Sequence, residues 1–308
     1  MGCIEKGKCR AMKRILGWSA VVLLALFAIF IVRNYDGIRR VFLGGLKVYE
    51  TTPPQLPAQI QRPAILVFSK TNGFRHEEAI PVANALFAKF ATDQGWGHFQ
   101  TENGAVFNRD DLSRFDVVVF NNVSGDVFTA EQRTAFEKFL NEGGGFVGVH
   151  GSGGDMSYDW RWYVEDVIGA QFKGHPMFPQ FQQATVRVED GSHAATRELP
   201  AEWVRTDEWY SFEKSSRRPG YNVLATLDEK SYENKGMFGK DLSMGEDHPI
   251  VWWHCVGRGR VFYSAMGHQA EAYAEPQHAA MLLGAVKWAL RQVGNECEVA
   301  STTDASAP

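Results

Sequence analysis

The chain lacks CxxC cysteine pairs. Its four, Cys3, Cys9, Cys255 and Cys297, show no CxxC spacing that would mark a structural zinc or a redox dithiol, and no disulfide framework is implied. Cys255 falls in an apolar run and reads as a small core residue. Also missing are the HxH and HExxH spacings that announce a metal site locally, any internal repeat, and any low-complexity stretch outside the C-terminal tail. Acidic residues outnumber basic ones over most of the chain. Net charge is -4 over 308 residues, but residues 1–47 hold nine Lys/Arg and two Asp/Glu, so they carry +7 and leave -11 to the rest. That acidic remainder argues against nucleic acid or an anionic membrane surface as its partner.

One long apolar run is present. Ile15 to Val32 is an uncharged stretch of 18 residues, near the minimum for a bilayer-crossing helix. Five basic residues from Lys6 to Arg14 precede it, and the sparser Arg33, Arg39 and Arg40 follow. The positive-inside rule then puts residues 1–14 in the cytoplasm and makes 15–32 a single-pass signal anchor in the cytoplasmic (inner) membrane, with the soluble domain outside. A cleaved signal peptide and a buried soluble helix are the rivals; the run is long for an h-region, and no A-x-A site follows it. Residues 33–61, ending in Thr51-Thr-Pro-Pro-Gln-Leu-Pro57, read as an extended linker that holds the domain off the membrane. Residues 62–292 form the domain, and 293–308 read as a disordered tail.

Within the domain, short apolar runs alternate with helical patterns. Ala64 to Ser69, Asp116 to Val123 and Phe146 to Val149 read as strands buried on both faces. His76 to Asp93 and Ala130 to Asn141 read as helices, the second opened by a Thr129/Gln132 capping box. Trp160 to Phe172 reads as a further helix, and Ile250 to Cys255 with Arg260 to Ala265 as a hairpin around Gly257-Arg-Gly259. The pattern predicts an α/β fold with a mostly parallel sheet and helices on both faces, preceded by one transmembrane helix. Ligands in such sheets sit beyond the C-terminal strand ends. The segments 69–76, 121–126 and 150–155 therefore converge on one rim.

The centre of that rim is Gly143-Gly-Gly-Phe-Val-Gly-Val-His150, a strand running into a glycine-flanked turn shaped like a nucleophile elbow, with histidine at its tip. Six histidines, His76, His150, His175, His193, His254 and His268, fall at or near strand ends or loops, with Asp207 and Glu208 as accompanying carboxylates. Such a set suits acid/base catalysis or metal binding. His98, His248 and His278 read as surface or helix-cap residues. Ser152, two residues past the elbow, is a conceivable nucleophile only if His268 reaches its hydroxyl.

The order of these motifs resembles the ThuA-like (trehalose-utilisation) family, whose fold is similar to class I glutamine amidotransferases. The resemblance spans roughly residues 62 to 292. It rests on Gly73-Phe-Arg-His76, the elbow, Ile168-Gly-Ala-Gln-Phe-Lys-Gly-His-Pro176, Asp207-Glu208, Pro249-Ile-Val-Trp252, Gly257-Arg-Gly-Arg-Val-Phe-Tyr263 and Gly267-His268. It implies a flavodoxin-like fold. Amidotransferases need a cysteine at the elbow, where this chain has His150, so glutamine hydrolysis is not expected. The family's association with disaccharides implies a carbohydrate or oxidised disaccharide as the small-molecule partner. In that reading His150, His268, Asp207 and Glu208 do acid/base chemistry. His76, Asn121, Ser152, His175, Trp162, Trp209 and Tyr210 bind substrate. Two alternatives stay open: a non-catalytic carbohydrate-binding or scaffold domain, and a metal-dependent hydrolase, with zinc as the possible cofactor.

Overall fold

A computed structural model describes residues 2–156 and 158–297. The first half of the chain gives α1 (Gly2–Arg33), α2 (Tyr35–Phe42), β1 (Ala64–Phe68), α3 (Ala79–Gln94), β2 (Gly97–Thr101), α4 (Arg109–Leu112), β3 (Val117–Asn121), α5 (Ala130–Asn141) and β4 (Gly145–Val149). Seven strands and two helices follow: β5 (Phe172–Gly174), β6 (Phe181–Val188), β7 (Glu202–Glu208), β8 (Ser211–Phe212), β9 (Tyr221–Leu227), β10 (Pro249–Val256), β11 (Gly259–Ser264), α6 (Ala270–Ala274) and α7 (Pro276–Ala289).

Apolar pentapeptides make the centre of the sheet. Every residue of β1, β3 and β4 is buried, which requires cover on both faces. Nine strands lie in the order β2-β1-β3-β4-β11-β10-β9-β6-β7. The five from β2 to β11 are mutually parallel, and the 2-1-3-4 start of their order is the flavodoxin-like arrangement expected from the strand-helix alternation. From β10 onward each strand pairs antiparallel, adding a flap to the parallel half. The helix signals hold locally: Thr129 and Gln132 form the capping box of α5, and Gly95 closes α3 in the left-handed conformation.

Four expectations are corrected. Trp160 to Phe172 is not one helix. A widened helical turn covers Tyr163–Ile168, Gly169 ends it at φ 80°, and Phe172 already belongs to β5. The segment 33–61 does not act as a free spacer. Leu46 N–H donates to the Asn72 carbonyl at 2.7 Å, Glu50 pairs with Lys70, and Leu56 and Ile60 pack against the core. Cys255 is exposed at the end of β10 and forms a disulfide with Cys297, because the alternation of β10 turns it away from the core. The start of the tail is therefore fixed: Arg260 also donates to the carbonyls of Val293, Gly294 and Glu296. The rest of the tail, from residue 298, lies outside the described residues.

α1 contains the 18-residue apolar window Leu16–Arg33, of mean hydropathy 2.3 and with none of it buried. By length and composition it is able to cross a membrane.

Candidate metal centre

β4 delivers His150 to the C-terminal edge of the parallel half, and the chain turns there. His150 has φ 43°, a left-handed conformation uncommon for a side-chain-bearing residue, and it is fully buried. The elbow read in the sequence is thus present. Its ring is fixed on two sides. Nδ1 lies 2.7 Å from the Ala265 carbonyl and donates to it, and the Tyr210 ring stacks on it at 4.2 Å. With the proton on Nδ1, the Nε2 lone pair is free to bind an electrophile.

Three further side chains meet that lone pair. His268 arrives from the loop after β11, Glu208 ends β7, and His76 comes from the loop after β1. His150 Nε2 is 3.2 Å from His268 Nδ1 and 3.4 Å from Glu208 Oε2, and His268 Nδ1 is 2.9 Å from the same oxygen. With His76 included, one donor atom from each residue lies within 4.8 Å of all the others. Gly151 makes room for His76, since a Cβ there would stand 2.8 Å from its ring carbon Cε1.

An outer layer holds these groups. Asp207 points away from Glu208, as neighbours on a strand must, and accepts the backbone N–H groups of Gly267 at 2.9 Å and His268 at 3.1 Å. Arg205 pairs with Asp207 at 3.1 Å, so the carboxylate that sets the His268 backbone is itself neutralised. The other oxygen of Glu208 faces His175 Nδ1 at 3.1 Å and accepts from Gln180. Burial opposes charge on Glu208, but His150 and His268, when protonated toward it, outweigh that and hold its carboxyl well below the usual carboxylate range. Burial, reinforced by repulsion from His150 and His268, pushes the His76 imidazole well below its ordinary value and keeps it neutral.

The donor set fits a divalent metal. Bond lengths of about 2.0–2.2 Å place neighbouring nitrogen and oxygen ligands of one ion roughly 3.0–3.5 Å apart. The separations of 2.9, 3.2 and 3.4 Å between these atoms are close to that spacing. A buried His76 Nδ1 without a hydrogen-bond partner adds an uncommitted donor, and three imidazoles with one carboxylate suit zinc and related transition metals.

The cluster opens into a cleft of about 300 Å³ whose walls include His76, Gly151, His175, Glu208, Tyr210 and His268. Other expected site residues lie elsewhere. Ser152 is fully buried; it donates to the Phe120 carbonyl at 2.8 Å and accepts from Val123 N–H at 3.1 Å, which ties β3 to the elbow. Asn121 bonds Asn84 and the Ile80 carbonyl beneath the rim. Trp162 packs on Trp160 and Phe136, and Trp209 is buried with its indole N–H on the Gln182 carbonyl, so neither lines the cleft. His193 and His254 stack on Trp253 and Tyr221 away from it. His248 and His278 are fully buried, not surface residues: His248 bridges Glu229 and the Tyr210 carbonyl, and His278 meets Arg205 at 3.0 Å. His98 is half-buried on β2. Gln180, the Ala265 carbonyl and the cleft residue Arg40 carry no sequence signal of their own.

A flavodoxin-like sheet with a histidine at the elbow and a three-histidine, one-carboxylate cluster above it defines an α/β domain with a candidate metal site at its strand ends. The ThuA family model, described as trehalose utilisation, matches residues 64–289, and the chain belongs to that family. Among solved structures it is similar to a ThuA-like protein from Bacteroides uniformis, at 27% identity and TM-score 0.64, covering 77% of this chain and 95% of that one. A ThuA-like protein from Parabacteroides merdae shares the fold at 16% identity and TM-score 0.57, covering 75% and 91%. A comparison with curated proteins gives no match.

Proposed function

We propose that the chain is a membrane-anchored ThuA domain that binds a divalent metal between His76, His150, Glu208 and His268 and acts on a sugar or oxidised disaccharide outside the cytoplasm. The observation that carries this reading is the donor spacing around His150 Nε2, with the tautomer of that ring set by the Ala265 carbonyl. A divalent ion supplies Lewis-acid polarisation of a hydroxyl or carbonyl and a more acidic bound water. The remaining work falls to the chain. His175, about a quarter exposed and beside the Glu208 oxygen that faces away from His150, is placed to carry a proton between cleft and solvent. Gln180 and Tyr210 orient Glu208 and His150. In this arrangement His150 and His268 are ligands, and the acid/base role expected of them moves to His175.

The sugar class rests on the family's description as trehalose utilisation. The Cys255–Cys297 disulfide supports an oxidising compartment and hence an anchored domain outside the cytoplasm. To test the reading, trehalose and its oxidised form would be incubated with the full chain before and after chelation, and with His175→Asn. Turnover that stops on chelation and returns with added zinc or manganese is expected, with His175→Asn slowed about 100-fold. Turnover indifferent to chelation would contradict it, and sugar binding without turnover would favour a carbohydrate-binding domain.

A further inference from the structure

The segment that follows the apolar helix forms part of the cleft. A single residue, Asn34, separates α1 from α2, and Arg40, Val41 and Phe42 at the end of α2, with Gly44 just beyond it, stand in the same cleft wall as His76, Glu208 and His268. They are fastened there. Arg40 donates to the carbonyls of Thr71 at 2.6 Å and Gly73 at 3.3 Å, in the loop that leads to His76. Gly45, at φ 86°, runs so close to that loop that a Cβ would stand 2.9 Å from the Asn72 carbonyl oxygen. The cleft mouth and the end of α1 are therefore joined through fixed structure, not through a loose tether.

The cleft is also divided by polarity. Its floor is imidazole and carboxylate, whereas its lip holds Val41, Phe42, Phe74 and Met156. These apolar side chains face water: Phe42 is 74% and Met156 69% exposed. Leu43, next to Phe42, is exposed as well. Such a cluster is unfavourable in water unless something apolar covers it. The chain itself says where that cover lies. Phe42 is nine residues past Arg33, so along a helical path it stands at most about 14 Å from the end of α1. Tyr35, Ile38, Val41 and Phe42 with Arg39 and Arg40 give α2 the composition of a helix lying at a bilayer interface.

From this we infer that the cleft takes an amphiphile held in the membrane: a glycolipid whose polyol head reaches the histidine and glutamate floor while its acyl chains leave over the Phe42 and Met156 lip into the bilayer. The inference rests on the proposed metal and sugar reading and on α1 being a retained anchor, and it makes the substrate a lipid-borne sugar in place of a free one. Its head meets the polar floor described above. Its tail offers the apolar surface that the lip lacks.

The test uses the full chain in phosphatidylcholine nanodiscs, loaded with Co²⁺, whose visible absorption reports entry of a ligand to the centre. One arm adds glucosyl diacylglycerol to the lipid. A second adds free glucose at the same total concentration, and both are repeated with Phe42→Asp/Met156→Asp. The glycolipid is expected to change the cobalt band at a concentration at least tenfold below that needed for glucose, and the double variant to bring the two within about threefold. The cobalt band of the unliganded variant reports that its centre is assembled. Equal response to glucose and glycolipid, or no response to either, overturns the inference. A preference that survives in the double variant also overturns it, because membrane confinement alone would then explain it. Absence of any cobalt band in the parent protein instead removes the metal reading, and this inference falls with it.

Discussion

The Ala265 carbonyl oxygen lies 2.7 Å from Nδ1 of His150 and accepts its N–H, which leaves the Nε2 lone pair facing His268 and Glu208. A backbone carbonyl at the end of one central strand thereby fixes the chemistry of the residue at the end of its parallel neighbour. The register of β4 against β11, with Val149 opposite Ser264, brings the two together.

Gly151 tests whether His76 belongs to the centre. An alanine there would press on the His76 ring at 2.8 Å and more lightly on the Asn122 side-chain oxygen at 3.2 Å. Gly151→Ala is expected to weaken metal binding at least tenfold, a loss typical of disturbing a ligand's support, with little change in the melting temperature. Isothermal titration with Zn²⁺ measures it; unchanged affinity would remove His76 from the ligand set.

Ser152 is a structural residue. Because its hydroxyl joins the Phe120 carbonyl to the Val123 N–H, Ser152→Ala is expected to cost about 1–3 kcal/mol in urea unfolding while metal binding stays intact. Loss of turnover in a stably folded, metal-loaded Ser152→Ala protein would revive the serine as a nucleophile.

Much of this was legible in the sequence. The short apolar runs of β1, β3 and β4 read as strands covered on both faces, and they place the loops carrying His76 and His150 on one edge. β7 was not legible as a strand. Its inward positions hold Arg205 and Asp207 while Val204 faces water, so the usual alternation is inverted where the strand supports the site. The tryptophans were ambiguous for a related reason: aromatic side chains look the same in a core stripe and a sugar platform, and Trp209 is buried while Trp162 is half-buried against Trp160 and Phe136. The metal reading had no local spacing to rest on, because the four candidate ligands come from four separate segments that only the sheet order assembles.

Acid should weaken the fold through His193 and His254. Burial lowers each to about 4 from 6.5. Both are neutral when folded, so between those values the unfolded chain binds more protons. Their stabilisation is complete above about pH 6.5 and is lost as pH falls toward 4, at roughly 3 kcal/mol for each fully shifted group. Urea midpoints at pH 7 and 4.5 measure the loss. His254→Gln, which can still donate to the Asp166 carbonyl, should flatten the slope, and an unchanged slope would assign the acid sensitivity to other groups.

Reduction should loosen the C-terminal end of the domain. The Cys255–Cys297 bridge closes a 42-residue separation in sequence, and its removal is expected to cost about 2–4 kcal/mol. Thermal melts of the parent and of Cys255→Ser/Cys297→Ser, with and without reductant, measure it. Equal melting temperatures throughout would mean that the bridge adds no stability.

The most direct test of the central claim is the metal content of the full chain, purified without chelator, beside His150→Ala and Glu208→Gln. About one equivalent of zinc or a related transition metal per chain is expected in the parent, falling below about a tenth in both variants, since each removes a ligand. A parent protein that holds no metal and takes up none from micromolar zinc, manganese or cobalt would contradict the account.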